Sequence, residues 1–115
     1  VNFATNPEAM LTAADRIVFQ VDDGDSNIDC VTEKDGTATT TDSGVDIESG
    51  TAVTLGFHVK STGSVEFFVN RNKVATHTAN IPDDENLALG AMELSGSATG
   101  TKSMNIDYMF AAQDR

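Results

Sequence analysis

The densest group of hard oxygen ligands in the chain is the run Asp22-Asp23-Gly24-Asp25-Ser26-Asn27-Ile28-Asp29. Calcium takes about six to eight oxygens from carboxylates, amides and backbone carbonyls, so Asp22, Asp23, Asp25, Asn27 and Asp29 are the candidate calcium ligands. The loop of a helix–loop–helix calcium site needs a glycine at its sixth position. Counted from Asp22, that position holds Asn27, so the run does not match the motif. The same residues are strong chain breakers, and the plainer reading is a solvated turn. Asp83-Asp84-Glu85 is a second acidic group and reads as a polar loop.

Other carriers of chemistry are few. Cys30 is the single cysteine, so no disulfide can form within these residues. It sits in the stretch Ile28–Thr32 and reads as a small buried side chain, with no base placed beside it by spacing. His58 and His77 both fall on expected strands, and a metal site there needs a third ligand that the sequence does not name. There is no CxxC pair, no glycine-rich phosphate loop and no nucleophile elbow. No residue is therefore assigned a catalytic role, and the chain is expected not to be an enzyme.

The elements that would position such groups are strands. In Thr51–His77, Val53, Leu55, Phe57 and Val59 alternate with Thr54, Gly56, His58 and Lys60, which puts one row on a core face and the other toward solvent. Val65, Phe67 and Val69 repeat the pattern after a turn at Ser61–Gly63, and Val74 to His77 return after a turn at Asn70–Asn72. Phe68 stands off the Phe67 row, which implies that the second face of this sheet is covered as well, by a neighbouring subunit or by sugar. Upstream, Arg16 to Val21 and Ile28 to Lys34 read as strands, Asp35-Gly36 as a hairpin turn needing positive φ, and Thr37 to Asp42 as a polar edge strand. Downstream, Leu87 to Leu94 and Lys102 to Phe110 complete a set of about eight strands. Short strands at this spacing predict an antiparallel β-sandwich or barrel. Residues 1–15 read as loop or one helical turn, capped by Asn6 with Pro7 at its first position, and residues 16–115 as the domain.

Composition narrows the partners. Eighteen acidic residues against seven Lys and Arg give a net charge of −11 in 115 residues. Such a surface repels nucleic-acid phosphate and anionic lipid. No apolar run approaches the ~18 residues of a membrane-spanning helix.

The order of these motifs resembles the concanavalin A-like lectin/glucanase jelly roll. The resemblance is carried by Phe57, Val59, Gly63, Val65, Phe67, Val69 and Asn70, then Val74-Ala75-Thr76-His77-Thr78, Asn80-Ile81-Pro82 and Ile106-Asp107-Tyr108. It is similar in particular to the laminin G-like sandwich of tailed-bacteriophage virion proteins, although the chain has no tryptophan where that strand usually begins with one. The resemblance covers about Arg16 to Arg115 and implies a jelly roll in a non-catalytic virion structural protein: a capsid-surface decoration or fibre-like module first, a tail-associated one next. It implies virion subunits, including copies of itself, as partners. Complete domains of this class carry further strands before Arg16, so the expectation is that another subunit, or chain outside this span, completes the sheet. The alternative it implies is a lectin-like module that binds glycans, with calcium as a possible cofactor. Its glucanase branch carries E-x-D-x-x-E on one strand. Glu33-Lys34-Asp35 begins that pattern, but Ala38 stands where the last carboxylate belongs, and Glu66 is isolated.

Overall fold

The computed structural model describes residues 12–61, 63–84, 86–93 and 103–112. Six strands form two antiparallel sheets, and no helix occurs among the described residues. The first sheet contains β1 (Arg16–Gln20), β2 (Asn27–Lys34) and β3 (Thr37–Asp46), in the order β1-β2-β3. The second contains β4 (Leu55–Lys60), β5 (Ser64–Val69) and β6 (Asn72–His77), in the order β4-β5-β6. All six lie in one compact unit, Ala13–Leu87. The described residues from 88 onward belong to a second unit and carry no strand. The strands expected over Leu87–Leu94 and Lys102–Phe110 are thus not formed among the described residues 87–93 and 103–110. The expected helical turn at Asn6-Pro7 lies outside the described residues.

Local chemistry explains the hairpins. Asp35 (φ 50°) and Gly36 (φ 74°) join β2 to β3 with two left-handed residues in succession, as a tight hairpin with right-handed twist requires. Asn70 (φ 51°) and Arg71 (φ 69°) do the same between β5 and β6, so that turn has two central residues and Asn72 already begins β6. The strand expected to stop at Asp42 continues to Asp46 as part of β3, because a register shift between Asn27 and Asp29 lets Asn27 pair with Asp46 and absorbs the break at Ser43-Gly44.

The two sheets pack face to face as a β-sandwich around Cys30, Val65 and Phe67, each fully buried, with Ile17, Phe19, Val74, Ala75 and Ile81 against them. Phe67 is the centre. Its ring meets Phe19 of β1 edge-on at 5.3 Å, Phe57 of β4 at 6.3 Å and the ring of His77 at 5.0 Å. β2, the middle strand, is buried on both faces, with Ile28, Cys30 and Thr32 on one and Val31 on the other.

One expectation meets its limit at β4. Leu55, Phe57 and Val59 pair directly with Val69, Phe67 and Val65 and so share the core face. Yet they are 42%, 42% and 47% exposed, while their partners are at 1% or less. Alternation assigned the face correctly. Burial also depends on what lies opposite, and coverage fades at β4, the outer strand of its sheet.

Truncating Phe67 to alanine is expected to lower unfolding free energy by about 3–5 kcal/mol, the range for a fully enclosed phenylalanine. Phe57→Ala should cost less than half of that. Urea unfolding of both variants measures the difference. Equal losses would mean that the β4 row is as enclosed as the β5 row.

Candidate functional site

The acidic turn after β1 comes first. Asp25 Oδ1 accepts the backbone N–H groups of Ser26 (2.7 Å) and Asn27 (3.0 Å), and the Asp25 N–H donates to the Asp22 carbonyl at 3.1 Å. Gln20 Nε2 donates to Asp22 Oδ1 at 3.2 Å. Asn27 Nδ2 donates to Asp42 Oδ2 at 3.1 Å, and Ser26 Oγ to Asp46 Oδ1 at 3.2 Å. These bonds shape a turn and fasten it to the end of β3. Asp23 is exposed in the same turn. Asp29, on β2, has its carboxyl held above the usual range, first by partial burial and then by the charges of Asp42, Asp22 and Asp25. Among the described residues no three His, Cys, Asp or Glu side chains are gathered so as to hold a metal ion. Asp22, Asp23, Asp25 and Asn27 stand in or beside the turn, and Asp29 follows on β2.

His77 is the most consequential polar group that sequence reasoning undervalued. It is 3% exposed, on β6, and its ring joins the two sheets. Nδ1 lies 2.9 Å from Thr32 Oγ1 of β2, and Nε2 lies 2.9 Å from Thr41 Oγ1 of β3. The Thr32 hydroxyl donates its one proton to the Ala79 carbonyl at 3.0 Å. It can therefore only accept from His77, which fixes the proton on Nδ1 and leaves Nε2 to accept from Thr41. This neutral tautomer satisfies every partner, and no buried side-chain polar atom among the described residues lacks one. Burial pushes the imidazole pKa below its ordinary value of 6.5.

Carboxylates with a structural partner are also accounted for. Glu33 pairs with Arg16 at 2.6 Å, across the β1–β2 ladder. Lys34 reaches Asp83 and also Asp84 (3.3 Å), tethering the loop after β6 to β2. Glu66 receives Lys60 at 2.8 Å and Lys73 at 3.2 Å, with His58 Nδ1 at 4.0 Å, and the Lys60 bond first, then the Lys73 bond, holds its carboxyl below the usual range. A glycosidase pair would need a second carboxylate beside Glu66, and this one is surrounded by cations instead. Cys30, fully buried, has its thiol pushed up to about 11 by burial and by the neighbouring charges of Asp29 and Asp42, so it stays a thiol.

Two surface features of the second sheet remain. The core-face row of β4 is half open, as described. At β4 and the Asn70-Arg71 turn a shallow hollow is lined by Thr54, Gly56, Phe57, His58, Phe68 and Arg71. Phe68, the off-row aromatic, forms part of its wall, opposite Gly56 in the ladder. Arg71 was not singled out by spacing; the signal was an arginine where this turn type favours glycine.

Comparison of the chain with protein-family models, with curated proteins and with solved structures returned no match.

The His77 bridge makes stability depend on pH. The folded pKa lies below the unfolded one, so the unfolded chain binds the extra proton first as pH falls. This contribution is complete above the unfolded value of 6.5 and is lost progressively below it, until the folded value is reached. Urea midpoints from about pH 8 to about pH 5.5 should fall more steeply for the native chain than for His77→Gln. Parallel curves would remove the histidine from the account.

Proposed function

We propose that the chain is a non-catalytic structural module that assembles through β4, and that two copies join there edge to edge. In line with its resemblance to laminin G-like jelly rolls of bacteriophage virions, its setting is a virion, as a capsid-surface decoration or fibre-like component and, next to that, a tail-associated one. The two sheets then form part of a jelly roll. The carrying observation is that Leu55, Phe57 and Val59 continue the core row of Val65, Phe67 and Val69 but remain more than 40% exposed. Among the described residues no strand pairs with β4 on the side away from β5, and an edge strand with an uncovered apolar row is a template for another strand.

The strand's own sequence favours a second copy as occupant. Antiparallel pairing about Phe57 sets Phe57 against Phe57 and Leu55 against Val59 on the core face, and Gly56 against His58 on the other. No like charges face each other directly. This is the self-complementary arrangement that a two-fold interface needs. Charge points the same way. In a chain of net charge −11, no acidic residue stands between Glu48 and Glu66, so the long-range repulsion of two copies is weakest around this strand.

Light scattering on purified protein tests the reading. A dimer or a larger discrete assembly is expected at micromolar concentration, tightening as salt screens the net charge. Phe57→Glu should give a monomer with unchanged circular dichroism. A native monomer at every concentration and salt, or a variant of unchanged mass, would overturn the proposal.

A further inference from the structure

The turn at Asn70-Arg71 holds an arginine where the backbone favours glycine. With φ of 69°, Arg71 occupies the left-handed region, which is unfavourable for a side chain with a Cβ. The turn is clamped to the start of β4: the Asn70 N–H donates to the Thr54 carbonyl at 2.8 Å, and the Thr54 N–H donates to Asn70 Oδ1 at 3.0 Å. Arg71 is thereby held at the rim of the hollow, beside Phe68 and His58. The other cations of this face are engaged, since Lys60 and Lys73 both bind Glu66. Arg71 makes no ion pair or hydrogen bond among the described residues, in a chain with eighteen acidic side chains against seven Lys and Arg. The floor is open too: a Cβ built on Gly56 meets nothing within 4 Å.

A flat apolar wall, an open floor and an uncommitted guanidinium at the rim specify a ligand of two parts. We propose that this hollow binds a ring bearing a carboxylate. The ring lies against Phe68 above Gly56, and the carboxylate takes the two-pronged hydrogen bond that a guanidinium offers, with the exposed His58 and the Thr54 hydroxyl as further donors. The same chemistry is presented by the uronic acid of an acidic glycan and by a free aromatic acid. Every residue of the site comes from one copy, and Gly56, Phe57 and His58 belong to β4 as well.

Amide chemical shifts of the whole chain, followed during titration with glucuronate, benzoate, glucose and acetate, test the proposal. Saturable shifts confined to residues 54–58 and 68–71 are expected with at least one of the two ring acids. The stronger of the two identifies the source as sugar acid or aromatic acid. Glucose lacks the charge and acetate lacks the ring, and each should bind about tenfold more weakly or worse. Arg71→Gly should abolish the response without loss of stability, because glycine relieves the left-handed backbone. Gly56→Val should abolish it by filling the floor. Absence of shifts with both ring acids, equal binding of acetate, or undiminished binding by Arg71→Gly would overturn the assignment.

Discussion

The sandwich depends on enclosing one ring. Phe67 reaches from the middle strand of the second sheet to Phe19 of the first, and the buried Val65 and Cys30 belong to the same cluster. Among the described residues few large side chains are fully buried, and small cores leave a narrow margin of stability. That scarcity gives weight to whatever else ties the sheets together. It also gives meaning to apolar side chains that the fold leaves half covered. Leu55, Phe57 and Val59 have the chemistry of a core row and the exposure of an edge.

His77 supplies the second tie. Its ring packs at a tilt against Phe67 and spans from β6 to hydroxyls on both β2 and β3. The network is satisfied only in one tautomer, so it specifies how the sheets align as well as holding them. Polar groups used this way favour a unique packing over a sliding one, because a shifted register would strand buried donors. The surface ion pairs around Lys34 and Glu66 act at lower stakes, fixing a loop and a sheet face in an exposed, screened setting.

Much of this was legible in the sequence. The period of two in Leu55–Val69, the Asp35-Gly36 turn, the buried Cys30 and the outward Phe68 follow from side-chain type and local backbone rules. The all-β class follows from the same patterns. What was not legible depended on partners distant in sequence. Nothing local says that His77 meets Thr32 and Thr41, which lie 45 and 36 residues away from it. The exposure of β4 was hidden for the same reason, because alternation assigns a face but not its cover. The acidic run read correctly as a turn, and its hydrogen bonds to Asp42 and Asp46 at the end of β3 were not legible because those partners lie 15 and 20 residues away. Arg71 could have been noticed as the wrong residue for its turn had the turn been placed one residue shorter.

The central claim is that β4 is an edge awaiting a second copy. Hydrogen exchange of its backbone amides at low and high protein concentration tests this most directly. The account predicts that the Leu55–Lys60 amides not paired with β5 are fast in dilute solution and slow as the dimer fills, while amides within β5 are slow throughout. Equal protection at every concentration would contradict it, because the edge would then be either already covered within one chain or never covered at all.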